Sequence, residues 1–439
     1  MKSLVLCLHV SLFLIGWRSG LAQVGRSSFE KPDVYEFAET VEYKPRYQHD
    51  PRKKRRILNP DFYCSRCAKE GRIAARTRDD LKEKLEIVKT YPMEFQGRTS
   101  DRRGLYRLMD HPADYVLNWC ADEVRSKNLI YIEDQMFRVV ADLAGFSTKK
   151  VAYPRREEEL IELADIFPRI SKKTVQLNSH HHAHLYLIRS HRILRDMSGL
   201  IRHDPKAREM AFLGPFFGMK EKFEVYLFRK QRDCGKFVEK FLGHPPSLDG
   251  ICWHTLSDDS MCAVSHVQLA KRDVDINNLF THRLSYCMLI GWRGYQYDLP
   301  AWFTMGLAHL FERRERTDFN TFLLGEGRRP NLRIPSKWKP YVKKRIAKGN
   351  IPPLVQVCKE TDVGKIPIGD RMIVWSQVSY LVSLGNEKAS RFIQTLKSKK
   401  KGENLYNLQV RAFRRAYGLS IPVFEEQWKA WVKATYPSV

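Results

Sequence analysis

Three sets of side chains in this sequence could do chemistry. Cys64 and Cys67 stand in a C-x-x-C spacing, which serves as half of a zinc site, as a redox pair or as a local disulfide. The run NSHHHAHLYLI gathers His180, His181, His182 and His184. The third set is His282, with His309 after it and His254 and His266 before it. An imidazole can ligate a metal, carry a proton or sit hydrogen-bonded in a core, so spacing has to decide between these roles.

For the cysteine pair, no second close Cys or His pair accompanies it along the sequence, and the flanks lack the βαβ context of a redox motif. A disulfide, local or longer-range, or two plain thiols is therefore the default expectation. The histidine run reads as a strand: Thr174–Ile188 alternates, which puts His180, His182 and His184 on one face. Same-face neighbours on a strand lie about 6.5–7 Å apart, close enough for adventitious metal affinity. No functional metal centre is expected there.

The stretch from Thr281 to Glu315, THRLSYCMLIGWRGYQYDLPAWFTMGLAHLFERRE, reads as two helical segments. Zinc peptidases of the H-E-x-x-H kind use such a pair. Two His four apart on one helix face hold the metal, the Glu between them acts as general base, and a further acidic ligand comes from the second helix. The metal then acidifies a bound water.

This region resembles the gluzincin metallopeptidases, and more closely an exported bacterial group among them with a THE-x-x-H helix followed by LP-x-W-x-x-EGLA-x-x-x-E. Thr281-His282 matches the start of the first segment. Leu299-Pro300-Ala301-Trp302, Gly306-Leu307-Ala308 and Phe311-Glu312 match the second. The FEVYLF segment and the terminal AYGLS…FEEQWKAWV…TYP also look like this group, so the resemblance covers roughly residues 170 to 439. It implies a zincin-like frame in which His282 keeps the first ligand position. The general base falls on Arg283, the second ligand on Tyr286 and the third on Met305.

These replacements remove the chemistry. A guanidinium cannot take a proton from water and repels a dication, a phenol is a poor neutral-pH ligand, and a thioether suits Cu(I) better than Zn²⁺. A rebuilt site could draw on His282, His309 and either His254 or His266, but the spacing does not require it. The expectation is that no catalytic or metal-ligating set survives and that zinc is absent. Arg283 could receive a carboxylate in the old cleft, or close on a nearby carboxylate such as Glu312.

The elements that must position these residues follow from periodicity. Residues 61–170 read as mostly helical, with DDLKEKLEIV and HPADYVLNWCADEV as the clearest cases. KFEVYLF, GICWHTL and MCAVSHV read as strands, with SDDS as a turn between the last two. RSHRILRDMSGLI, CGKFVEKFLG and the two segments of the motif read as helices. Residues 326–352 form a basic loop, in which SKWKPYVKKR could meet a polyanion or simply be solvated over a packed Trp338 and Tyr341. From 353 to 439 the chain is expected to be helical, in four amphipathic segments. The fold class is α+β: a small mixed sheet with helices leads into the two-helix frame over 171–325, followed by an all-helical C-terminal part.

Bulk composition bounds the rest. A 439-residue chain that is 43% apolar can bury a large core. Its net charge of +26 favours anionic partners, an acidic peptide or a polyanion, although no nucleic-acid-binding motif is found. Residues 1–22, MKSLVLCLHVSLFLIGWRSGLA, read as a signal peptide cleaved after Ala22, with a short membrane anchor as the alternative. The mature chain is expected to be periplasmic or secreted, without a transmembrane helix. Residues 23–60 read as a basic flexible arm containing KPRYQHDPRKKRR. The function expected is that of an exported pseudopeptidase with a binding or structural role. The alternatives are an active metal-dependent peptidase with an unconventional site and a polyanion-binding surface protein.

Overall fold

A computed structural model of the chain describes residues 47–49, 56–58, 63–69, 119, 123–134, 136–148, 156–201, 217, 219, 222–245, 250–255, 261–268, 270, 272–292, 299–315 and 335–438. The leader expected over 1–22 lies outside the described residues, as do the SDDS turn and most of the arm expected over 23–60. Within that arm, Tyr47–His49 (β1) pairs antiparallel with Arg56–Leu58 (β2).

A six-stranded mixed sheet organises the body of the protein. In chain order it begins with Tyr63–Cys64 (β3), which runs straight into a short helix, Ser65–Lys69 (α1). Leu129–Glu133 (β4) and Phe137–Asp142 (β5) follow, then the short strand Phe146–Ser147 (β6), the helix Arg156–Ile166 (α2) and Gln176–Leu177 (β7), which pairs with β6. After the long helix Ser179–Ile201 (α3) come Phe223–Phe228 (β8) and Gln231–Phe237 (α4), which continues as a π-helical turn over Val238–Leu242. Gly250–Thr255 (β9) and Met261–His266 (β10) complete the sheet. The spatial order is β3-β4-β5-β8-β10-β9, with β5, β8 and β10 mutually parallel and the outer pairings antiparallel.

Side-chain alternation explains why this sheet is covered on both faces. Phe223, Val225 and Leu227 of β8, Phe137, Val139 and Ala141 of β5, and Met261 and Ala263 of β10 enter the main core. The intervening Tyr226, Phe228, Val140, Cys262 and Val264 meet Cys234, Phe237 and Val238 of α4 and its π turn on the opposite face. Because β4 and β5 are buried almost throughout, their apolar runs lose the simple alternation of a half-exposed strand. Within 61–170, expected to be mostly helical, residues 129–133 and 137–142 form strands; DDLKEKLEIV and most of HPADYVLNWCADEV lie outside the described residues.

The segment Thr174–Ile188 is also corrected. Only Gln176 and Leu177 are extended, and α3 starts at Ser179. Asn178 starts the helix: its Oδ1 accepts from the His181 backbone N–H at 2.9 Å, and its carbonyl accepts from His182. The histidines therefore follow a 3.6-residue period, which places His180 beside His184 and His182 beside Tyr186.

Asp273–Gly291 (α5) and Ala301–Glu315 (α6) pack against each other, and α5 also packs against α3 and directly against strands β9 and β10. The region expected as a basic loop contains a helix, Trp338–Ala347 (α7). Its Trp338, Val342 and Ile346 recur at four-residue steps and form its buried face, while Pro340 sits in the first turn, where a missing N–H costs nothing. A single helical turn at Leu354–Val357 leads to Ile368–Ser383 (α8), Asn386–Leu396 (α9), Leu405–Tyr417 (α10) and Ile421–Thr435 (α11), the four amphipathic segments expected.

One continuous apolar core joins the sheet side to these last helices, running from Cys64 to Tyr436. Trp302 of α6 is a principal joint: it is fully buried, its ring lies parallel to Phe413 at 6.3 Å, and its Nε1 donates to Gln409 Oε1 at 2.7 Å. Burying such a side chain contributes about 1.5–3 kcal/mol, and its donor loses nothing because a partner is built in.

A buried ion network ties the helices together on the side of α2. Arg189, fully buried on α3, grips Glu159 of α2 through Nε and Nη2 (3.1 and 3.0 Å) and Asp273 of α5 through Nη1 and Nη2 (2.8 and 2.6 Å). Tyr186 donates to the same Asp273 at 3.2 Å, and His182 Nε2 lies 2.8 Å from it. Burial would raise the Asp273 carboxyl, but the Arg189 charge and these hydrogen bonds hold it well below the usual carboxylate range.

Candidate functional site

Helices α5 and α6 bring together His282, His309 and Glu312. His282 Nδ1 lies 2.8 Å from Glu312 Oε2, and His309 Nδ1 lies 3.3 Å from the same oxygen. The two imidazole rings are 4.5 Å apart, and the Trp338 ring stands edge-on to His309 at 5.2 Å. All three residues are 0% exposed. Burial pushes the Glu312 carboxyl up, but the charge of His309 and the hydrogen bond from His282 bring it down to about 2. His309 and Glu312 are three apart on α6, so both face α5.

The other positions of the motif take structural roles. Arg283 is buried at 1% exposure, and its Nη1 donates to the Val264 carbonyl oxygen of β10. It does not pair with Glu312, which is taken up by the two histidines, and its guanidinium does not reach the surface to receive a ligand carboxylate. The Tyr286 hydroxyl accepts from Thr304 Oγ1 at 3.2 Å, linking α5 to α6, and Met305 is fully buried in the core. His254, on the outer strand β9, stands against His244 at 5.1 Å, and His266 ends β10. Neither joins His282 and His309; Glu312 does instead. The i, i+3 spacing of His309 and Glu312 was the available signal for that third member.

Two observations decide what this triad can do. Ligand atoms on a tetrahedral zinc with bonds of about 2.0–2.1 Å lie about 3.3–3.4 Å apart. The 3.3 Å His309–Glu312 separation has that spacing, whereas the 2.8 Å contact between His282 and Glu312 is shorter. None of the three side chains reaches solvent, and a catalytic zinc would also need an open position for a water or a substrate carbonyl. His₂Glu is nevertheless a ligand set that catalytic zinc uses, and the three atoms lie within 4.8 Å of one another.

A second convergence joins the first two sets of the sequence. Cys64 closes β3, Cys67 lies on α1, and both thiols meet His180 and His184 in the first turns of α3. Cys64 Sγ and Cys67 Sγ each lie 3.3 Å from His180 Nε2, and Cys67 Sγ lies 3.7 Å from His184 Nε2. All four side chains are buried, and Cys64 and Cys67 form no disulfide, which leaves the plain-thiol alternative of the sequence expectation. Burial would raise the Cys64 thiol, yet the hydrogen bond with Cys67, the charge of His184 and contacts with both histidines lower it to about 2. The sequence reading missed this pair of pairs because it placed the histidines on a strand.

The helix pair thus holds a buried cluster of His282, His309 and Glu312. A surface hollow on α10, lined by Asn407, Val410, Arg411, Arg414 and Arg415, shares no residue with it. Among the described residues no helix is long and apolar enough to cross a membrane. The chain matches no family model, no curated protein and no solved structure.

Proposed function

We propose that this chain is an exported, non-catalytic protein that retains a gluzincin-like helix pair as scaffold and serves a binding or structural role. The observation that carries this reading is the filling of the α5–α6 interface by the protein's own side chains. His282, Glu312 and His309 close on one another at 0% exposure, where a peptidase of this frame would expose zinc and water. Arg283, at the position of the general base, is spent on a strand carbonyl. The net charge of +26 makes an acidic peptide or a polyanion the partner chemistry that the surface favours.

One observation favours a second reading, metal-dependent hydrolysis: His282, His309 and Glu312 supply a His₂Glu set. A single experiment separates the two. The purified full chain is incubated with a quenched-fluorescence peptide library, with and without added Zn²⁺ and phenanthroline. The expected result is no cleavage above background in any condition. Zinc-stimulated cleavage that phenanthroline stops and His282→Ala removes would overturn the non-catalytic reading.

A further inference from the structure

We propose that Cys64, Cys67, His180 and His184 bind one zinc ion in a closed, four-ligand structural site that clamps residues 63–69 onto the N-terminal turns of α3. The argument starts from ligand type. Two thiolates with two imidazoles, C-x-x-C on one segment and H-x-x-x-H on another, form a Cys₂His₂ set, and in such sets Zn²⁺ is the metal that soft sulfur and borderline nitrogen select together.

Geometry agrees. With Zn–S near 2.3 Å and Zn–N near 2.0–2.1 Å, tetrahedral coordination puts sulfur and nitrogen about 3.6 Å apart. The three sulfur–nitrogen separations are 3.3, 3.3 and 3.7 Å, and all four ligand atoms lie within 4.8 Å of one another. Sharing matters as much as distance. His180 Nε2 is equidistant from two sulfurs, and Cys67 Sγ faces two imidazoles. Separate hydrogen-bonded pairs do not require one meeting point; a common ion does.

The supports around the ligands fit the same end. The Cys67 backbone N–H points at Cys64 Sγ at 3.5 Å, a contact that favours thiolate over thiol. Phe167 stands edge-on to both rings at 5.0 Å, holding their orientation and keeping water out. On α3 the two histidines are four residues apart, so one helix face presents both Nε2 atoms. Nothing here is left open for substrate, so the ion's role is structural.

Its place in the fold gives that role content. Strand β3 is two residues long and pairs only with β4, and α1 is five residues long. Elements this short do not hold themselves. Ligands more than a hundred residues apart tie them to a 23-residue helix at the centre of the core. The site shares no residue with the α5–α6 triad, and the proposal does not depend on how that triad is read.

The test uses the full chain purified under reducing conditions without chelator. Elemental analysis is expected to give one zinc per chain, retained by His282→Ala and absent from Cys64→Ser/Cys67→Ser. Cobalt substitution is expected to give thiolate-to-cobalt charge-transfer absorption in the near ultraviolet and the strong visible bands of a tetrahedral centre. Should the double variant not fold, His184→Cys is the control. A third thiolate keeps the ion and raises the charge-transfer intensity about 1.5-fold, in proportion to sulfur ligands, which a hydrogen-bonded thiol cluster cannot do. Wild-type protein that takes up neither zinc nor cobalt at this stoichiometry overturns the proposal. So does a cobalt-loaded protein whose thiolate-to-cobalt band is absent, or survives the double cysteine substitution.

Discussion

Glu312→Gln weighs the α5–α6 cluster directly, because it preserves shape and removes only charge. In the native protein the carboxyl is brought from its ordinary 4.5 to about 2 by His309 and His282 against the cost of burial. One pKa unit corresponds to about 1.4 kcal/mol, so these partners stabilise the fold by about 3 kcal/mol at neutral pH, and the variant is expected to lose about that much. The folded pKa lies below the unfolded one, so this stabilisation is complete above about pH 4.5 and disappears as pH falls towards 2. The gap between wild type and variant should therefore be full at pH 7 and shrink in acid. Urea unfolding followed by tryptophan fluorescence reads it, with the pH stepped downward and a chelator present or absent. A variant within about 0.5 kcal/mol of wild type at pH 7 would refute the reasoning, since that is the range of a neutral surface change. A gap that a chelator abolishes would refute it too, by replacing the ion pair with a metal.

Three further outcomes follow from other parts of the fold. Asp273→Asn leaves the fully buried Arg189 guanidinium with half its partners and is expected to cost about 3–5 kcal/mol, read as a lowered urea midpoint. Gly306→Ala would set a Cβ 2.7 Å from Val378 Cγ2 and 2.9 Å from the Val374 carbonyl oxygen, so α6 and α8 must separate. Overpacking of that kind costs about 1–3 kcal/mol, and the thermal midpoint should fall accordingly. Arg283→Met removes a buried cation whose resolved bond is to a strand carbonyl; stability should stay within about 1 kcal/mol, and binding of acidic peptides should not change.

What could be read from the sequence depended on how much of each element faced solvent. The four C-terminal helices announced themselves because α9 and α10 alternate charged and apolar faces cleanly, with Asn404 and Gly418 as cap and stop. Strands β8 and β10 and helices α5 and α6 were legible from length and flanking turns. Strands β4 and β5 were not, since side chains buried on both faces carry no alternation. At the site, His282 and His309 were singled out and do meet, while Glu312 was noted as a partner for Arg283 rather than for the histidines. The Cys–His convergence was hidden by a wrong period: four histidines in five residues satisfy a strand as well as a helix, and only Asn178 as a cap tips the balance. Ligands more than a hundred residues apart leave no local trace at all.

The thiols of this protein also make it its own clock. Cys234, Cys262, Cys287 and Cys358 are buried without disulfides, on α4, β10, α5 and just after the turn at Leu354–Val357. Burial pushes the Cys262 thiol well up and carries the Cys358 thiol far from the reactive range. A thiol reagent therefore reaches each one only when its own element opens. Labelling rates measured cysteine by cysteine would rank the helices and the sheet by how often each parts from the core, with no residue altered.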